Sequence, residues 1–205
     1  IWSYLTGGVI CSSPAVAYGM LFVGSRDYKV YAFGAHDVSV TNVTPFKGIV
    51  GLGYPIRINV TVENQGDFTE TFDVTAYYFV MPPMTPIETK TISLTSGSST
   101  VLTFRWSTTG AGKGNFTIAA GASPVPGETD TLDNSLTDGI VQVTIPGDAT
   151  GDDFVDISDF AILGWSWFQE PGDPRWDPRA DFNDDDFIDI SDFGILGYYW
   201  FQGGC

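Results

Sequence analysis

Between residues 56 and 63 apolar and polar side chains alternate without a break, Ile56, Ile58, Val60 and Val62 against Arg57, Asn59, Thr61 and Glu63. Successive side chains of a strand point to opposite faces, so this run predicts a strand with its aliphatic face in a core and its polar face outward. Similar runs at 37–43, 72–80, 87–94, 101–106, 115–120 and 140–145, separated by Gly, Pro, Asn and Ser, bring the total to about seven strands in about 110 residues. The economical packing of so many short strands is an antiparallel β-sandwich of immunoglobulin type. Upstream, runs at 14–25 and 26–33 joined by a polar turn, with Trp2 before them, predict a hairpin. Beyond residue 146 the period changes. Phe160, Leu163, Gly164 and Trp167 share one helical stripe and Phe193, Leu196, Gly197 and Trp200 a matching one, each expected to be chiefly core.

The chain has 205 residues, 43% hydrophobic, which excludes wholesale disorder, and a net charge of −16. That charge is concentrated. Residues 146–205 hold fourteen acids against Arg175 and Arg179, a net of −12, leaving −4 for the rest. Nucleic acid is excluded as an expected partner, because nothing here neutralises phosphates. No run approaches the roughly 20 apolar residues of a membrane span, and the chain begins at Ile1 without a basic, hydrophobic leader, as a processed product or fragment does. Cys11 and Cys205 do not by themselves establish a disulfide. Sequons at Asn42, Asn59 and Asn115 fit a secreted or cell-surface glycoprotein, although Thr-rich sequence also generates them by chance.

The acid falls at regular positions. Residues 148–159 and 181–192 repeat one another at an offset of 33 and read as twelve-residue calcium loops. In the first, Asp148, Thr150, Asp152, Asp156 and Asp159 take positions 1, 3, 5, 9 and 12, with the Phe154 carbonyl at position 7. In the second the same places go to Asp181, Asn183, Asp185, Asp189 and Asp192, with Phe187 at position 7. A hard cation takes six to eight oxygens, and this spacing wraps a short backbone around one ion, so two Ca²⁺ ions are expected. Position 6, ordinarily glycine at a sharp turn, holds Asp153 and Asp186; aspartate tolerates positive φ better than most residues. Thr150 against Asn183 makes the first loop the weaker expected site. Glu128, Asp130 and Asp133 admit a cation or catalytic reading, but their Pro/Gly-rich turn favours satisfaction of local backbone donors. Glu63 and Asp67 read the same way. His36, the only histidine, has no partner nearby in sequence for a soft-metal site or a catalytic triad.

Three resemblances accompany these patterns. The runs Ser12-Ser-Pro-Ala-Val-Ala, Val23-Gly-Ser and Val30-Tyr-Ala resemble one repeat of a pyrroloquinoline-quinone-type β-propeller. One repeat cannot close a ring of 4 to 8 blades, so no quinone is expected. Val60-Thr-Val-Glu-Asn-Gln-Gly-Asp, Phe104-Arg-Trp and Pro126-Gly-Glu-Thr-Asp-Thr-Leu-Asp-Asn are similar to the adhesion-related CARDB family, which implies a spacer or adhesion module. Residues 146–205 resemble a dockerin: Pro146, Pro174 and Pro178 deny each loop an entering helix, and position 12 is Asp in both. The implied fold class is mainly β with a small α C-terminal module. It comprises an N-terminal β-hairpin at 1–36, an Ig-like, CARDB-like antiparallel β-sandwich at 37–145 and a dockerin-like pair of calcium loop-helix units at 146–205.

That resemblance implies a non-enzymatic protein whose sandwich presents the calcium-dependent module to a cohesin-like domain on another protein. The contact residues it implies are Ile157, Ser158, Ile190 and Ser191, with Trp165 and Tyr198 beside them; alternatively the isoleucines pack internally and the serines begin their helices. Folding of a 60-residue module of this kind is expected to depend on its ions, with the sandwich surviving chelation. Two other readings stand beside this one. The chain is the anchoring C-terminal part of a larger secreted enzyme or propeller protein, or it is a subunit of a surface filament or sheath that self-associates through its N-terminal hairpin by strand addition.

Overall fold

A computed structural model describes residues 3–17 and 20–203; Trp2 and Cys205 lie outside the described residues, and Cys11 is exposed. The N-terminal region is a three-stranded antiparallel sheet of β1 (Ala15–Ala17), β2 (Met20–Gly24) and β3 (Val30–Phe33). The run at 14–25 that reads as one strand is two, paired with Ala17 opposite Met20.

The sandwich follows. One sheet joins β4 (Val38–Pro45), β6 (Pro55–Asn64) and β9 (Ser99–Ser107), with β6 in the centre. The other runs β5-β11-β10-β7-β8, from β5 (Ile49–Gly51), β11 (Ser135–Thr144), β10 (Gly114–Ala122), β7 (Glu70–Phe79) and β8 (Thr85–Leu94). All pairings in it are antiparallel except the short β5, which lies parallel to β11. Alternation decides what lies between the sheets: Ile56, Ile58, Val60 and Val62 are fully buried, facing Val74, Phe116, Ile118 and Val141 in one cluster. Tyr78 and Trp106 stack across the gap at 4.5 Å, and Phe116 meets Trp106 edge-on at 5.5 Å. Asn64, buried at the end of β6, is satisfied by the carbonyls of Phe68 and Leu94 and by the Gly66 amide. This explains the polar Asn-Gln-Gly corner.

The expectation for the C-terminal region is corrected. The chain is mostly β, and α1 (Ile157–Trp165) and α2 (Ile190–Tyr198) are its two short helices among the described residues. They start inside the acidic segments rather than after them, because Asp156 with Asp159, and Asp189 with Asp192, form capping boxes. Acids at those spacings are therefore accounted for by helix initiation and loop closure, and a dockerin-like pair of calcium loop-helix units is not what the structure shows. The stripes are also thinner than expected. Leu163 and Leu196 are buried with Ala149, Val155, Ala180, Phe182 and Ile188, but Phe160 and Phe193 are exposed.

Ile58 sits at the middle of the central strand with no exposure. Ile58→Ala is expected to lower unfolding stability by about 2–5 kcal/mol, read by urea denaturation. A loss under about 1 kcal/mol would contradict the packing described.

Candidate functional site

The two acidic segments fold alike because each position-1 and position-12 carboxylate gathers backbone amides. Asp148 accepts from Gly151 N at 2.6 Å and Asp153 N at 2.8 Å; Asp181 accepts from Asp184 N at 2.7 Å and Asp186 N at 3.1 Å. Asp159 accepts from the amides of Ala149, Thr150 and Asp156, and Asp192 from those of Phe182, Asn183 and Asp189. Asp152 and Asp185 accept from Phe154 N and Phe187 N, and Asp156 and Asp189 from Ser158 N and Ser191 N. Asp153 and Asp186 take φ of +67° and +69°, the left-handed turn that position demands, and so does Asp184 at +63° where the first segment has Gly151. Burial pushes the Asp192 carboxyl up to about 6 and also raises Asp181, with Lys47 opposing the latter. Among the described residues no three His, Cys, Asp or Glu side chains come together in a metal-binding geometry.

The two repeats are interlocked. Phe168, just after α1, bonds Ile188 in the second segment (N to O, 2.9 Å), and Phe201, after α2, bonds Val155 in the first at the same distance. Both phenylalanines have positive φ, +57° and +60°. The repeated Trp-Phe-Gln that follows each helix carries this exchange, a signal present in the sequence and missed.

Sequence reasoning also missed the seam with the sandwich. Arg57, on the outward face of β6, grips Asp186 with both terminal nitrogens at 2.5 and 2.7 Å and donates Nε to the buried Asp184 at 3.0 Å, its guanidinium over the Phe46 ring. Lys47 is buried, with Nζ on the Asp181 carbonyl oxygen. Arg105 reaches Asp184 at 3.5 Å and Lys113 holds Asp153 at 2.8 Å. Asp186 keeps the Arg57 guanidinium protonated more firmly than usual, and Lys113 lowers the Asp153 carboxyl; burial pulls the Lys47 ammonium down. In each segment the seam takes positions 1, 4 and 6, since Thr144 Oγ1 donates to Asp148, Lys47 to the Asp181 carbonyl, and Gly151 O accepts from Gln142 at 2.7 Å.

Away from the seam, the expected contact residues Ile157, Trp165, Ile190 and Tyr198 are all exposed, as are Ser158 and Ser191. Phe160 and Phe193, 6.1 Å apart, border a groove of about 420 Å³ between the helices together with Leu163, Gly164, Trp167 and Ile190. Elsewhere, His36 is engaged by Glu70 at 2.6 Å and stacked on Phe68. Glu128 accepts from the amides of Val38 and Val125 and from Asn134 Nδ2, as its turn suggests. Asp37 is raised by burial and by Asp133, Glu128 and Asp130. Asn42 and Asn115 are exposed, while Asn59 is half-buried and accepts from Thr103.

No protein-family model and no curated protein matches the chain. Among solved structures it is similar to the CARDB domain of a Pyrococcus furiosus protein, in complex with di-metal ions, at 25% identity over 55% of this chain and 97% of that one, with a TM-score of 0.45. It is also similar to a β-glucosidase from Erythrobacter marinus (18% identity, 53% of this chain, 15% of that one, TM-score 0.41) and to one from Listeria innocua (12%, 55%, 16%, 0.38). The chain thus spans a small part of either enzyme.

Two outcomes follow from the seam and from Asp192. Arg57→Gln leaves Asp184 buried without its main partner and is expected to cost about 3 kcal/mol, whereas Lys113→Gln, at a half-exposed pair, costs under about 1 kcal/mol. Equal losses in denaturant titrations would show that the seam is not anchored at Arg57. With chelator present, Asp192 has a folded pKa of about 6 against an unfolded value near 3.9. Its stabilising contribution is therefore present below about pH 4 and lost as pH rises through about 6, and Asp192→Asn should flatten that part of the melting-temperature profile. An unchanged slope in the variant counts against it.

Proposed function

We propose that the chain is a non-catalytic extracellular module in which the β-sandwich holds an acidic, calcium-binding C-terminal unit in a fixed pose for docking on a cohesin-type partner. The observation that carries this reading is the exposed face of Ile157, Phe160, Trp165, Ile190, Phe193 and Tyr198 on the two repeats. Exposed apolar side chains gathered on one unit, away from its own seam, mark a contact surface more than a solvated one. The donor chemistry supports calcium: oxygens alone are offered by Asp148, Thr150, Asp152, Asp156 and Asp159, and by Asp181, Asn183, Asp185, Asp189 and Asp192. An oxygen that accepts one amide, as Asp152 Oδ1 and Asp185 Oδ1 do, retains a lone pair for an ion, whereas both Asp148 oxygens already accept two donors that an ion would compete with. The Phe154 and Phe187 carbonyls complete each set. Bound calcium would offset the repulsion that remains in a segment whose acids the sandwich meets only at positions 1, 4 and 6.

A filament or sheath subunit is the second reading. It is favoured by the N-terminal sheet, where the outer strands β1 and β3 lie at the edges and Val16 and Val30 are exposed.

Binding of the purified chain to a panel of isolated cohesin domains tests the first reading. Affinity is expected to fall at least about tenfold when EGTA replaces calcium, and by a similar factor in Ile157→Asp/Ile190→Asp. Binding indifferent to EGTA, or absent across the panel while the chain assembles into ordered polymers, overturns it.

A further inference from the structure

A second place in the molecule gathers oxygens with nothing to satisfy them. Where β4 leaves the N-terminal sheet, the 125–134 loop folds back on it. Val38 N donates to Glu128 Oε1 at 2.9 Å, and Val40 N to the Asp133 carbonyl at 2.9 Å. The Asn134 amide group donates to Glu128 Oε2 at 3.1 Å, and Val125 N to the same oxygen at 2.8 Å. Both Glu128 oxygens accept hydrogen bonds, and that carboxylate ties the start of β4 to Asn134's loop. Around it, Asp37 Oδ1, Asp133 Oδ1 and Asn134 Oδ1 are buried atoms with no hydrogen-bond partner, and Asn134 as a residue is 4% exposed.

Unpartnered buried acceptors are uncommon in folded proteins and each costs about 1–3 kcal/mol, so three at one junction require an account. Water could donate to the three oxygens but would leave the like charges of Asp37 and Asp133 unneutralised. A lysine or arginine would neutralise them, but among the described residues none of the ion pairs involves Asp37, Glu128, Asp130 or Asp133. His36, the neighbouring residue, is committed to Glu70. What remains is a species that accepts lone pairs from several hard oxygens and neutralises carboxylates. A cavity of about 560 Å³ lies beside the junction, lined by the neighbouring His36, Gly127 and Thr129 and not by the three oxygens themselves.

We propose that Asp37, Asp133 and Asn134 form a site for a hard divalent cation of the calcium class, pinning the 125–134 loop to the start of β4, with Glu128 ordering the site from behind. Two carboxylates and an amide oxygen suit such an ion, with water completing its coordination. The site is separate from the acidic C-terminal segments and lies at the junction of the N-terminal sheet and the sandwich.

Calcium stoichiometry by native mass spectrometry, combined with amide exchange, tests this on the full chain. The native protein is expected to bind one ion more than D37N/D133N, and calcium is expected to slow exchange at Val38, Val40 and Asn134. A chain carrying Asp148→Asn/Asp181→Asn should keep that ion and that protection. If the C-terminal segments take no calcium while this protection persists, the docking reading loses its ion but the site stands. Equal stoichiometry in the native chain and D37N/D133N, or exchange at the three amides unmoved by calcium, overturns the proposal in favour of a proton shared between the two aspartates; the exchange measurement needs no variant to fold.

Discussion

The Arg57 guanidinium joins the two halves of this molecule. It stands on the central strand of one sheet, on the face opposite the buried Ile56, Ile58 and Val60, and its three nitrogens all end on carboxylates more than 120 residues away in sequence. The constraint behind it is charge. A C-terminal segment with fourteen acids and two arginines cannot close its loops against its own repulsion without outside cations. The sandwich carries Lys47, Arg57, Lys90, Arg105 and Lys113, and four of these five face the acidic loops. Asp184 is buried only because Arg57 and Arg105 meet it. A desolvated carboxylate is tolerated when its partners are hydrogen-bonded and fixed, and strand β6, packed on its other face, fixes Arg57.

Pose follows from that contact. Screening at high salt shortens electrostatic reach from about 10 Å to about 3 Å, which weakens the half-exposed Lys113 pair far more than the buried Arg57 cluster. The interlock of Phe168 with Ile188 and Phe201 with Val155 means that neither repeat can detach alone. Holding the second repeat at Arg57 therefore orients the first. The apolar helix face is consequently held at a defined angle from the sandwich.

Much of the sandwich was legible because one buried face imposes a period of two, and a slip of one residue would expose every aliphatic in β6. The same pattern placed Arg57 outward, correctly, yet could not reveal that the outward face is covered, since its partners are remote in sequence. Residues 14–25 read as one strand because apolar content is continuous there, and periodicity alone does not mark a reversal. In the acidic repeats the spacing was visible and its local use was not. Carboxylates at positions 9 and 12 suit an ion and also suit a capping box, and only the backbone distinguishes them. The aromatic stripes failed for a simpler reason. A nine-residue helix packed against one neighbour buries a single leucine, so Phe160 and Phe193 had no interior left to enter.

The seam uses positions 4 and 6 of each acidic segment, and also position 1, where Thr144 donates to Asp148 and Lys47 to the Asp181 carbonyl. Because Asp153 and Asp186 replace the usual glycines, carboxylates are available at the turn to be gripped, at the cost of a left-handed aspartate in each segment. Glycine there would relieve the backbone and remove the handle. The aspartates that stand at this left-handed turn are thus the feature by which the sandwich holds each segment.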